Sequence, residues 1–204
     1  PTVGRHLTSR TLLLWLAGVN RSRWSDRRMS FHVADTPPTA AQLQRVTALL
    51  GREPRGLRAI AVSEAGGEPV VIRVASVVDG RPFPTLYWLV GARLSLQLDR
   101  LEAAGWIARL QAEVDASADI RAHMLADHNR HRAQRARFLM PEEAQFLEDT
   151  GMETAVSERG IGGIADPDRI RCLHTWYAAH LVNANAVGEL IDRVLAEGEY
   201  LATD

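Results

Sequence analysis

The spacing of apolar residues along the chain switches from a helical period to an alternating one and back again. Leu43, Val46 and Leu50 fall three and four residues apart, behind Thr39 and Gln42 in capping-box register and ahead of Gly51, which predicts a short amphipathic helix. Three runs rich in β-branched and aromatic residues follow, Leu57 to Val62, Val70 to Val78 and Phe83 to Val90. Their links, Ala65-Gly66-Gly67-Glu68 and Asp79-Gly80-Arg81-Pro82, are short and turn-like, so the runs are expected to pair antiparallel as a three-stranded meander. In the third run Thr85, Tyr87 and Leu89 share one face while Leu86, Trp88 and Val90 share the other. Pro82 and Pro84 suit a strand start or edge.

Beyond Gly91 the spacing is helical. Leu94, Leu98 and Leu101 lie on one face with Gly105 at the end, and Trp106 to Val114 continues as a second piece. Asp119 to Leu139 reads as a long helix stopped by Met140-Pro141, and Pro141 opens a short helix through Glu148. Thr150 to Ala165 is irregular. Asp166 as cap and Pro167 in the first turn predict a helix to about Asn183, followed by one from Val187 to Glu197. The fold class is α+β: a small three-stranded antiparallel sheet packed with about six helices in one domain over 36–198, with a tail at 199–204. Residues 1–35 are expected to stand outside it as a disordered or non-native segment. The apolar run Thr11 to Val19 is far too short to span a bilayer, no small-x-small cleavage site follows it, and Met29 is a natural start.

Composition narrows the function classes. A formal net charge of -1 gives no global pull toward nucleic acid or an anionic membrane. One cysteine makes no intramolecular disulfide and fits a reducing, cytoplasmic compartment. All 24 basic residues are arginine, which removes P-loop and Schiff-base lysine chemistry.

Reactive residue types concentrate between Glu158 and Glu189. Cys172, His174 and His180 are metal-ligand types, with His128 and His131 available to join them. On a helix, however, Cys172 and His174 would stand about 160° apart, so they would share an ion only across an irregular first turn. No integral metal and no cofactor is therefore expected. As a nucleophile, Cys172 would sit two turns into the expected helix, where dipole help is modest, and a small buried residue beside Trp176 is the preferred reading. Gly160, Gly162 and Gly163 before a helix start suit either a backbone nest for an anion or a tight turn. His128, His131 and Arg135 fall at i, i+3 and i+7, on one helical face.

The ordered set GREPRG, DGRPFPTLYWL, RLEAAGWI, GIGGI, RCLH and NAVG resembles domain-of-unknown-function family 501, uncharacterised bacterial proteins, over roughly 39–195. Its members are described beside cell-division and exopolyphosphatase genes, which supplies context and no mechanism. The chain departs from the family where many members resemble Arg-Cys-Pro at its Ser63-Glu64-Ala65 and Thr-Cys-Pro at its Val90-Gly91-Ala92, and His131 stands where tyrosine is usual. The function expected from the residues is binding, with turnover in prospect, of a small phosphate- or carboxylate-bearing ligand. Arg135 would hold the anion, His128 or His174 would carry a proton, and His131, Gly162, Gly163, Cys172 and His180 would line the pocket. The rival is a non-catalytic adaptor with a protein partner in division or envelope assembly. Nucleic acid and integral membrane association are not expected.

Overall fold

A computed structural model describes residues 31–197, and the expectations for residues 1–30 and 198–204 lie outside that span. Strand β1 (Phe31–Thr36), helix α1 (Ala40–Leu50) and strands β2 (Leu57–Glu64) and β3 (Pro69–Val74) come first. A two-residue ribbon, β4 (Val77–Val78) and β5 (Arg81–Pro82), then leads to β6 (Tyr87–Leu89). Helices α2 (Ala92–Ala103), α3 (Trp106–Ala116), α4 (Ala118–Phe138), α5 (Pro141–Thr150) and α6 (Glu153–Ser157) precede a 3-10 turn at Ile161–Gly163. Helices α7 (Leu173–Val182) and α8 (Ala186–Glu197) follow it. The α+β class expected from the pattern is the one adopted, with a main antiparallel sheet in the order β1-β2-β3-β6.

Alternation along the strands gives the sheet two apolar faces. Ile60, Ile72, Val74 and Val90 pack with Val46 of α1. Ala61, Val71 and Tyr87 belong to the larger core with Leu98, Leu110, Trp176 and Ile191 from the helices behind. Each large apolar side chain sealed in this way contributes about 1.5–3 kcal/mol of burial. The capping box of Thr39 and Gln42, the left-handed Gly51 cap and Pro141 in the first turn of α5 all form as their sequence signals require.

Three elements differ from the sequence expectation, each for a local physical reason. Residues 31–35 are expected outside the domain, yet Phe31–Thr36 pairs with β2 as a fourth, edge strand. Its run FHVADT is mostly exposed, so it carries no apolar alternation to read. Asp35, at φ 45 in the bulge of this strand, is ion-paired to Arg73 at 2.8 Å, and the Arg73 guanidinium lies 3.9 Å from the Phe138 ring centre. The run Val70 to Val78 is cut in two after Val74, where Ala75 N–H donates to Gly56 O at 2.8 Å and Phe83 N–H to Ser76 O at 2.7 Å.

The third difference reshapes the candidate site. No helix starts at Asp166-Pro167; the chain runs without regular structure until Leu173. Asp168 N–H donates to the Asp166 carboxylate at 3.0 Å. Gln111 of α3 then takes the backbone on both sides, donating to Asp168 O at 2.8 Å and accepting from Ile170 N–H at 2.9 Å. That amide clamp replaces the bonds a helix would have made.

Helices α7 and α8 dock through a polar seam. His180 Nε2 lies 3.1 Å from Asp192, His180 Nδ1 accepts from Asn185 N–H at 3.1 Å, and Tyr177 Oη donates to Asp192 at 2.8 Å. Gly188 lets the two helices approach, since a Cβ there would lie 2.1 Å from His180 Cγ. Gly188→Ala is expected to cost about 1–3 kcal/mol by overpacking, read as a lower urea midpoint. An unchanged midpoint would show that the seam has slack.

Candidate functional site

The polar face of α4 is buried as the sequence reading required, but its partners are backbone groups. Arg135 is 2% exposed and reaches across to the segment leaving α6. Its guanidinium donates to Val156 O, to Arg159 O at 2.7 Å and to Gly160 O at 3.1 Å. Burial pushes it down to about 10, so it remains charged at neutral pH. His128, 1% exposed, is filled on both nitrogens: Nδ1 accepts from Ile161 N–H at 2.9 Å, and Nε2 donates to Pro167 O at 3.2 Å. Those two bonds fix the neutral tautomer, and burial holds its pKa down to about 4. His131 sets its ring edge-on to Tyr87 at 5.9 Å, and burial, with Arg135 nearby, holds it down to about 3.

The glycine-rich turn is consumed by the same arrangement. Gly160 N–H donates to Ile164 O at 2.8 Å and Gly163 N–H to Gly160 O at 3.1 Å, so these amides do not face an anion. A Cβ on Gly160 would lie 2.0 Å from His128 Nδ1. Gly162 and Gly163 turn with φ 67 and 72 against Thr175 and Pro84. His180 belongs to the α7–α8 seam.

His174 has a separate environment. Its Nδ1 lies 3.2 Å from Glu102 Oε1 and 3.8 Å from Cys172 Sγ, while Nε2 lies 3.2 Å from Ser95 O and 3.3 Å from Asp99 Oδ1. The Cys172 contact, opposed by partial burial and joined by Glu102, raises its pKa to about 9. Among the described residues, His174 shares no hydrogen bond with His128 or Arg135, so the expected single pocket of the three is replaced by two clusters. Cys172 and His174 do not oppose each other either, because Cys172 is the extended N-cap of α7, at φ -154 and ψ 126, not a residue two turns inside it. The helical-angle argument against their meeting therefore fails at its premise.

A further concavity lies on the other face of the sheet. A groove of about 900 Å³ is lined by Arg52, Glu53, Arg55, Asp79, Phe83 and Trp88. The Arg52 guanidinium stands 5.5 Å from the Trp88 ring centre, and Phe83 meets Trp88 edge-on at 5.5 Å. Arg55 is paired with Asp79 at 2.6 Å. Arg52 has no ion pair among the described residues. Sequence reading missed Glu102, Arg52 and Trp88 as candidates. Glu102 meets Leu173 N–H across a 71-residue separation that no local spacing reports. Arg52 and Trp88 carry no spacing signal that brings them together, although they stand in the motifs GREPRG and PFPTLYWL.

The fold and these clusters define a single α+β domain with side-chain chemistry at the start of α7 and an open groove across the sheet. Residues 60–193 match the family described as protein of unknown function DUF501, and the chain belongs to it. PFPTLYWL, RLEAAGWI, GIGGI, RCLH and NAVG fall inside the matched span; GREPRG lies before it. No curated protein and no solved structure matches the chain. No helix among the described residues is long and apolar enough to cross a membrane.

Two outcomes follow from the α4 face. Arg135→Ala leaves three carbonyl oxygens without their donor and is expected to destabilise the fold by several kcal/mol, on the order of 3–5, in urea unfolding. A loss under about 1 kcal/mol would show that the clamp is not structural. His128 and His131 have folded pKa values of about 4 and 3, below the ordinary 6.5. The unfolded chain thus protonates first as pH falls, so their contribution is complete above about 6.5 and is lost as pH drops through 4 and 3. His131→Leu should flatten that acid limb; an unaltered limb would assign it to other groups.

Proposed function

We propose that this protein binds a small ligand carrying a phosphate or carboxylate next to a flat ring, and that the ligand occupies the groove beside Trp88. The observation that carries this reading is the position of Arg52. It stands over the Trp88 ring with no carboxylate partner among the described residues. A guanidinium held on an aromatic face keeps its forked N–H edge for a bidentate acceptor, while the ring beneath offers a stacking surface. The groove volume of about 900 Å³ falls within the range of ligand sites. Two arginines and two carboxylates line it, so the attraction is local to Arg52 and the groove is not broadly cationic.

The ligand class is the one the sequence suggests, at a different address. Arg135 is occupied by carbonyls, and neither His128 nor His174 lines this groove, so the reading is binding without turnover. Among the described residues, the exposed apolar side chains lend the adaptor alternative no single helix or strand face. The large exposed apolar residues Val33, Leu43, Leu96, Leu125, Met140 and Met152 stand on six different elements or links and not on one. A single cysteine fits work in a reducing compartment such as the cytoplasm.

The test is calorimetric titration with adenosine monophosphate, an aromatic carboxylate and inorganic phosphate, with tryptophan fluorescence in parallel. The ring-bearing anions are expected to bind more tightly than phosphate alone. Arg52→Ala should weaken them by about tenfold or more, the worth of a charge-assisted contact, at unchanged melting temperature. Absence of binding by the unaltered protein, or equal binding by Arg52→Ala, would sink the proposal.

A further inference from the structure

Glu102 from α2 and Cys172 and His174 from the start of α7 form a mixed donor set on the side of the molecule where α2 meets α7. One ligand-type atom from each lies within 4.8 Å of the other two, and all three residues are partly buried. Backbone geometry brings them together. Cys172 is extended at the N-cap, so its side chain and that of His174 turn to the same side. Glu102 is drawn in because its carboxylate accepts from Leu173 N–H at 2.6 Å, capping α7.

The distances have a second meaning. In a tetrahedral zinc site, with Zn–S near 2.3 Å and Zn–N and Zn–O near 2.0 Å, sulfur and nitrogen stand about 3.5 Å apart and nitrogen and oxygen about 3.3 Å. Here Cys172 Sγ to His174 Nδ1 is 3.8 Å and His174 Nδ1 to Glu102 Oε1 is 3.2 Å. The outer nitrogen is positioned as a metal-bound imidazole needs. Nε2 faces Ser95 O and the Asp99 carboxylate, acceptors that hold a hydrogen on Nε2 and turn the Nδ1 edge between the thiol and the Glu102 carboxylate.

We infer that Glu102, Cys172 and His174 bind a divalent cation of the zinc class. Thiolate with imidazole favours zinc and its neighbours over magnesium or calcium, which prefer all-oxygen shells. Three protein ligands leave a fourth position open. His174 also borders a cleft of about 220 Å³ with Tyr87, Trp88 and Thr175. The ion takes Cys172 as thiolate and His174 through a bare Nδ1, so uptake weakens as pH falls.

The experiment is a cobalt(II) titration of chelator-treated, tag-free protein followed by zinc displacement. Because Cys172 is the one cysteine in the chain, a thiolate-to-cobalt charge-transfer band identifies it without any variant. The expected result is that band with intense tetrahedral d–d absorption, saturating at one equivalent and bleached by zinc. Cys172→Ser should remove the band. Asp99→Asn, which touches only the outer nitrogen, should weaken zinc binding by about tenfold or more while keeping the band. A titration with no charge-transfer band overturns the inference, as does Cys172→Ser binding zinc as tightly as the unaltered protein.

Discussion

An irregular segment crossing the middle of a helical layer must find partners for its backbone, and that requirement organises this molecule. Between α6 and α7 the chain has only a 3-10 turn for regular structure, so ladders and helices leave much of its backbone unpaired. Side chains from three helices take over. Arg135 gathers the carbonyls of 156, 159 and 160; His128 joins Ile161 to Pro167; Gln111 grips 168 and 170; and Glu102 closes on Leu173. A buried amide without a partner costs about 1–3 kcal/mol, so four helical side chains settle a debt that a helix would have met by itself.

The same requirement explains which parts of the architecture were legible in the sequence. Periodic helices and short turns announce themselves, and α1, α4 and α5 follow their signals closely. The inward orientation of His128, His131 and Arg135 was legible too, because i, i+3 and i+7 share a face. What they touch was not. A buried arginine beside histidines suggests an anion pocket, yet peptide carbonyls satisfy a guanidinium equally well, and nothing local separates the two outcomes. The helix expected at Asp166 failed for a related reason: Asp and Pro are good openers, but the Gln111 side chain, far away in sequence, takes the backbone groups of Asp168 and Ile170.

Moving the start of α7 from Asp166 to Leu173 has a chemical result that outweighs its size. It converts Cys172 from a helix-interior residue into a cap, and so brings its sulfur beside His174 and Glu102. The arginine-and-histidine face of α4 is architecture, while reactive side chains collect at the helix entrance and an aromatic-arginine groove opens across the sheet. Trp88 lines both the groove and the cleft beside His174.

The segment held by Arg135, His128, Gln111 and Glu102 is attached chiefly by side chains, and that sets its place in the hierarchy of local openings. Releasing it breaks no strand pairing and unwinds no long helix, so its amides belong to a cooperative unit that opens at lower free energy than the sheet. Its far end is the cap of α7. Each such opening parts Cys172 from Glu102, and whatever stabilises the three donors together slows exchange along the whole segment back toward Val156.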